Sequence, residues 1–355
     1  MAGIGVALGP ITGGYLLRSF SWSSVFWVNV PLVALAAVLC WAIVPRSAAT
    51  ERRTLDPVGA ALSIVALVAL VYAVIEAPAH GWASGRTLAT FAIAAAGLAA
   101  FTAWERRQRE PMLDVGVFAN PGFSAPSVAI TLTFFAMAGA VFLITQYLQF
   151  VLGHSPLRAG AGILPAAFAL FAASPLSAHF AGRIGARATI TIGMLVAAVG
   201  LGLQAALTDG SSYLPVGAGQ TLLGLGIGLG MAPATNSIMN SLPPDRAGVG
   251  SAVNDTTREV GSALGVAIVG SAAASSYTGR VTEALDGLGV PPAVTAAAAD
   301  NVGAALHVGV DGPAGAQIAQ IARAAFVDAF QVGLAVAAGV AVGAAVLAFL
   351  AVPKG

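Results

Sequence analysis

Charge is scarce in this chain: only 9% of its 355 residues are Asp, Glu, Lys or Arg, whereas 57% are hydrophobic. With a mean hydropathy of +0.86, water is excluded as its main solvent. The 16 basic residues nearly cancel the 15 acidic ones, for a net charge of +1. The chain therefore has neither the basic field that holds nucleic acid nor an acidic tail, and no nucleic-acid partner is expected. A single cysteine, Cys40, excludes an internal disulfide and any multi-thiolate metal site. The four histidines (His80, His154, His179 and His307) are far apart and form no ligand spacing, so no metal and no cofactor is expected. Also missing are a G-x-x-x-x-G-K-[ST] nucleotide loop, an H-E-x-x-H zinc pair and a G-x-S-x-G nucleophile elbow, which leaves enzymatic readings without a site. No positive segment precedes the first apolar run, so the start reads as the inside of a helix rather than a cleavable signal.

What is present is apolar length. A bilayer core about 30 Å thick needs about 20 mostly apolar residues in a helix, because lipid offers no partner to a free N–H or C=O. Runs of this kind lie at 2–17, 25–44, 57–77, 87–104, 124–148, 159–181, 187–207, 214–240, 248–276 and 326–352. The expected fold class is all-α: a polytopic membrane bundle of ten spans in the lipid bilayer. If the first span runs outward, segments 45–56, 105–122, 182–187, 241–250 and 353–355 face the cytoplasm and hold 10 of the 16 Lys and Arg, against 5 on the other side. That bias places both termini in the cytoplasm. Trp22, Trp27, Trp82 and Trp104 fall at span ends, where amphipathic rings settle at headgroup level. The longest connection, 277–325, is external in this scheme and too polar to span; its Ala-rich pieces at 292–308 and 314–325 are expected to form short surface helices.

Gly5, Gly9 and Gly13 recur every four residues with Pro10 between them and Gly14 beside them. Small residues at that spacing let a second helix approach closely, and the proline removes a backbone hydrogen bond and bends the helix. Taken alone, the pattern is equally an ordinary packing motif.

The residues after Gly14 narrow the choice. Gly5-xxx-Gly9-Pro10-xx-Gly13-Gly14, then Trp22-xxx-Phe26-xx-Asn29-x-Pro31, resembles the antiporter motif and the fifth-to-sixth helix junction of major facilitator superfamily drug:proton antiporters of the fourteen-helix, EmrB/QacA-like branch. Asp56-Pro57-Val-Gly59, Trp104-Glu105-Arg106-Arg107 with Pro111, Gln146-Tyr147-Leu148-Gln149, Gly153-His154-Ser155-Pro156, Gly182-Arg183-Ile184-Gly185-Ala186-Arg187 and the block from Asp245-Arg246 to Gly265 resemble that branch in the same order. The resemblance implies helices five to fourteen of such a transporter, with the first four absent and the missing N-terminal helices a possible partner. It divides the chain into 1–44, the last two helices of the N-terminal bundle; 45–122, an inserted helix pair with cytoplasmic loops; and 123–355, a C-terminal six-helix bundle. It also implies multi-pass residence in the plasma membrane and export of small hydrophobic or cationic molecules in exchange for protons. An inactive or partner-dependent fragment is the alternative.

A second constellation, Asn254-Asp255-Thr256-Thr257-Arg258-Glu259, opens the ninth span. Asp255 with Arg258 (i, i+3) and Glu259 (i, i+4) share a helix face. Asp255 lies roughly 10 Å into the span at 1.5 Å per residue, which is shallow. Three roles stay open: an ion-pair and hydrogen-bond cluster closing the cytoplasmic side, direct handling of protons or cations, or a snorkelling cap. Glu76, in the last turn of the third span, reads as an interfacial, solvated carboxylate. Gln146, Gln149, Asn236 and Asn254 are substrate-contact candidates, with Thr131, Thr133, Gln204 and Gln220 as weaker polar ones. Gly182, Arg183, Gly185 and Arg187 form a basic cytoplasmic turn; by resemblance it holds helices together in one state, although topology signalling alone would explain its arginines. Gly224, Gly226, Gly228 and Gly230 sit in an apolar run with no strand before them, so close helix packing or flexibility accounts for them rather than a dinucleotide loop.

Overall fold

A chain that satisfies its backbone groups locally can reside in lipid only as helices or a closed barrel, and this one takes the first route. The computed structural model describes residues 2–43, 56–108, 111–243, 246–307 and 313–353, which contain no strand. The helices are α1 (Ala2–Ser19), α2 (Ser24–Trp27), α3 (Asn29–Ile43), α4 (Pro57–His80), α5 (Gly85–Glu105), α6 (Pro121–Gln146), α7 (Pro156–Ala161), α8 (Leu164–Ala205), α9 (Tyr213–Asn240), α10 (Ala247–Asp286), α11 (Pro292–Asp300), α12 (Val302–Ala305) and α13 (Pro313–Ala351). Several begin as local chemistry dictates. Asp56, Asn120 and Ser155 each stand before a proline at the first helical position and accept a backbone N–H from the first turn, which satisfies a donor the helix would otherwise leave open.

Eight helical stretches are long and apolar enough to cross a membrane among the described residues. One of them, Pro156–Ala205, holds two of the ten predicted spans, 159–181 and 187–207. Gly185 separates the two halves of α8 with φ 83° and ψ 159°, a left-handed backbone that glycine adopts without steric penalty. The first predicted span lies on α1, which is not among the eight. The connection expected over 277–325 is shorter than the sequence suggested. α10 continues to Asp286 because Tyr277, Val281 and Leu285 keep a buried stripe at a spacing of four, and α13 already begins at Pro313, with Ile318, Ala322 and Ala325 buried. The external helix expected at 292–308 forms in two pieces, α11 and α12. Asp311 lies outside the described residues, as do Arg46, Arg52, Arg53, Arg109 and Lys354 of the sidedness argument.

Helices α6, α8, α9, α10 and α13 pack against one another as the body. α4 pairs with α5 and joins that body through α10, and α1 rests on α7 and α8. No residue of α3 is buried. Two apolar cores lie along the body. One gathers Tyr147, Leu201, Leu223, Val269 and Phe330, with the Tyr147 and Phe330 rings stacked 4.8 Å apart. The other gathers Phe123, Ile130, Ile190, Met194 and Ile238. The first lies toward the α11–α12 cap, the second toward the α8 break.

Glycine sets the close approaches. A β-carbon on Gly193 would stand 2.6 Å from the Gly226 carbonyl oxygen, and one on Gly200 would stand 2.7 Å from that of Gly219. These are two antiparallel glycine contacts, two turns apart, between α8 and α9. Gly224 and Gly228 face Ala166, Leu170 and Ala173 in the first half of α8, while Gly226 and Gly230 face Gly193, Ala197 and Ile190 in the second. The glycine run is thus a packing device that seats α9 between both arms of α8.

Candidate functional site

The end of the bundle that carries the α8 break holds most of the polar chemistry. On α10, Arg258 stands with its guanidinium Nη1 3.8 Å from Asp255 Oδ1 and donates from Nη2 to Thr235 Oγ1 at 3.4 Å. Its charge lies over the Phe134 ring at 5.5 Å from the centroid, an attraction that strengthens as water is removed. Thr235 in turn donates to Asn254 Oδ1 at 3.3 Å, and Asn254 is buried. Arg258 Nε is buried without a partner among the described residues. The guanidinium is therefore only partly satisfied, since Asp255 is 67% exposed and its contact is long.

Glu259 is exposed and makes no ion pair among the described residues. The face expected to unite Asp255, Arg258 and Glu259 thus contributes two members, and α9 and α6 supply the rest through Thr235 and Phe134. Neither was readable from spacing, because both reach Arg258 across helix boundaries.

A cavity of about 590 Å³ opens on the opposite face of α9, lined by Gly182, Arg183, Gly185, Pro233, Asn236 and Asn240. The basic turn and the candidate Asn236 thus meet in one place. Arg187, from the same turn, donates from Nε to the Val352 carbonyl at the end of α13. Arg246 donates to Asp114 Oδ2 at 2.8 Å, and this bond, with a second from the Gly116 N–H, holds the Asp114 carboxyl below the usual carboxylate range. These contacts tie four segments together at this end.

The other candidates lie elsewhere. Gln146 precedes the π-helical turn Tyr147–Val151 and Gln149 lies within it; they donate to the carbonyls of Phe142 and Thr145 one turn back. Tyr147 beside them donates to the Thr208 carbonyl, which places the pair at the far end from Asn236 and Asn254. In α1, Gly14 is buried against α7, where a β-carbon would come 2.7 Å from Leu157 Cα, whereas Gly9 and Gly13 face open space. The surroundings of Gly5 and Pro10 lie outside the described residues. Glu76 is partly exposed and 3.2 Å from His80 Nδ1, the solvated position expected of it.

Comparison with known proteins decides the family. The model of the Major Facilitator Superfamily matches residues 1–266. The chain belongs to that superfamily. It is 39% identical over 275 residues to the multidrug resistance protein Stp of Mycobacterium tuberculosis, covering 78% of this chain and 51% of Stp. It is 34% identical over 324 residues to the multidrug efflux pump LfrA of Mycolicibacterium smegmatis, covering 91% and 64%. To the tetracenomycin C resistance and export protein of Streptomyces glaucescens it is 32% identical over 356 residues, covering 98% and 66%. The chain thus spans from about half to just under two thirds of the length of these superfamily relatives. It is a multi-pass membrane protein of a transporter family.

Proposed function

We propose that this chain exports small hydrophobic or cationic compounds across the cell membrane in exchange for protons, by alternating access. The observation that carries the reading is Arg258. It is a guanidinium inside a membrane-crossing helix with one donor unpaired, held between Asp255 and Thr235 on one face of α9 while a cavity opens on the other. Ionisable groups at membrane depth are costly and mark substrate or ion pathways. The substrate class is supported by the names of the relatives, which speak of multidrug resistance, efflux and export.

In this reading two helix bundles rock about a central site, and Arg246–Asp114 and Arg187–Val352 close the end that holds the α8 break. That end faces the cytoplasm, together with both termini. Gly5, Gly9, Pro10, Gly13 and Gly14 shape the bundle interface and limit leak. Asp255 and Glu259 are the exposed carboxylates that carry the exchanged protons, and Arg258 beside Asp255 stays charged throughout. Asn236 meets substrate at the cavity, and Gln146 and Gln149 meet it at the opposite end. The chain corresponds to helices five to fourteen of the fourteen-helix branch, with the inserted pair at α4–α5, and acts as a transporter rather than an enzyme.

The test is accumulation of ethidium, a lipophilic cation, in bacteria stripped of their own efflux pumps. Expression of the protein is expected to lower accumulation several-fold, and a protonophore to restore it. Equal accumulation with and without the protein, at matched membrane expression, overturns the reading. A second reading, a partner-dependent unit, is favoured by one observation: α3 buries no residue, and Trp41 is 79% exposed. Efflux that appears only when further helices are co-expressed would select it.

A further inference from the structure

Two carboxylates meet where α4 begins and α5 ends, away from the Arg258 site. Asp56 caps α4 by accepting the Gly59 N–H on Oδ1 at 2.8 Å. It also receives the indole N–H of Trp104, 2.9 Å from Oδ2 and 3.1 Å from Oδ1. The next residue, Glu105, is 2% exposed. Its Oε2 accepts the Leu113 N–H at 3.1 Å, whereas Oε1 is buried with no hydrogen-bond partner among the described residues.

That unpartnered oxygen and Asp56 meet at Gly59. A β-carbon built on Gly59 would lie 2.6 Å from Asp56 Oδ2 and 2.7 Å from Glu105 Oε1, so both oxygens border the same small volume, which Gly59 leaves open. No described cation compensates them. Arg106 and Arg107 follow in the chain, but both are exposed and neither pairs with Glu105. Asp114 is engaged by Arg246. α10, the other element packed on α4, carries Asp255 and Glu259, both exposed, and Arg258, which is committed to Asp255 and Thr235. A buried carboxylate oxygen without a donor, beside a second carboxylate, is a strongly unfavourable arrangement unless something positive completes it.

We infer that Glu105 Oε1 and Asp56 Oδ2 hold a small cation, a proton or an alkali-metal ion, between them. The site is independent of which compound the protein exports. Its occupancy bears on the α4–α5 hairpin and, through the Glu105–Leu113 bond, on the segment that leads into Asp114 and Arg246. Trp104 reports it, because its indole N–H is bonded to Asp56.

The experiment uses the whole chain in lipid nanodiscs with Trp22, Trp27, Trp41 and Trp82 replaced by Phe, so that Trp104 alone emits. One arm lowers pH from 8.5 to 5 in choline chloride. The other adds NaCl or KCl at pH 8.5, with choline chloride as the ionic-strength control. One saturable change in Trp104 emission is expected, in the pH arm if the ligand is a proton and in the salt arm if it is a metal ion. Glu105→Gln is expected to shift its midpoint at least tenfold in cation concentration or to abolish it. Gly59→Ala, which fills the volume between the oxygens, is expected to do the same, and circular dichroism establishes that each variant is folded. If Glu105→Gln does not fold, Gly59→Ala decides. Flat emission in both arms overturns the inference. So does an unchanged midpoint in a folded variant, since the response would then belong to Asp56 alone.

Discussion

Gly193 and Gly226 are where a single methyl group should matter most. A β-carbon on Gly193 would sit 2.6 Å from the Gly226 carbonyl oxygen and 2.9 Å from Gly230 N; one on Gly226 would sit 2.5 Å from Ala197 N and 2.8 Å from Ala197 Cβ. These neighbours are backbone or a rigid methyl, so no rotamer change relieves the clash and α8 must move away from α9. Gly202, also on α8, has nothing within 4 Å of its would-be β-carbon. Alanine is favoured over glycine in a helix interior by about 1 kcal/mol, so Gly202→Ala is expected to stabilise by up to that amount. At Gly193 or Gly226 the same gain is set against an overpacking cost of about 1–3 kcal/mol. Because the helical gain is common to both kinds of variant, they should differ by that overpacking cost, roughly 1–3 kcal/mol. At about 2–4 °C per kcal/mol for a large domain, their Tm values should separate by roughly 2–12 °C. The assay is loss of helical ellipticity at 222 nm in nanodiscs, all variants heated at one rate. Equal Tm values for Gly226→Ala and Gly202→Ala would refute the glycine register between α8 and α9.

Three further outcomes are expected. Arg258→Lys keeps the charge but loses the planar fork that reaches Asp255 and Thr235 and stacks over Phe134, so ethidium efflux should fall at least tenfold at unchanged helical content; efflux equal to the parent would remove Arg258 from the mechanism. The Asp114–Arg246 pair is half-exposed and should contribute no more than about 1 kcal/mol. Because the folded-state value of Asp114 is lowered, that contribution is present above the ordinary carboxylate range and lost as pH falls through the folded value. Asp114→Asn should therefore lower Tm slightly at pH 7 and progressively less as pH falls through the lowered folded value, and a double-mutant cycle with Arg246→Gln isolates the pair. Burial, and then the charge of Arg158, hold His154 below its ordinary 6.5, so the folded protein takes up a proton there less readily than the unfolded chain. Stability should fall as pH drops below 6.5 toward that lowered value, and His154→Gln should flatten this dependence in a Tm-against-pH series; an unchanged slope would assign it to another group.

Much of the fold was legible because lipid imposes so few options. The predicted spans fall on helical segments, although 25–44 crosses the α2–α3 junction and 159–181 the α7–α8 junction, and the boundary placed near residues 182–187 coincides with the Gly185 break. The polar end of α10 was not read as helix, and that of α13 was read only as a separate short surface helix over 314–325, since hydropathy falls there. Yet Tyr277, Val281 and Leu285 carry a four-residue stripe that a search for amphipathic rather than apolar helices would find. The site was legible only in part. Arg258 and Asp255 follow from i, i+3 spacing within one helix. Thr235, Phe134 and the Arg246–Asp114 bond depend on how α6, α9 and α10 pack, which no local pattern encodes. Asp56 was named only within the family resemblance; neither its cap on α4 nor its pairing with Trp104, 48 positions away, was read from the sequence. The glycines of α9 were read as serving close packing or flexibility because nothing around them resembled a strand, and the structure shows them in close packing.

Proton-coupled export is tested most directly by following both fluxes in the same vesicles. The purified protein is reconstituted with a pH-sensitive dye inside, and ethidium is added under an imposed proton gradient. Coupled exchange requires ethidium to move against its gradient while protons move the opposite way. Asp255→Asn with Glu259→Gln should reduce both fluxes together, and Arg258→Lys should do the same. Ethidium movement that is indifferent to the proton gradient, or proton flux unaffected by added ethidium, would contradict proton-coupled export.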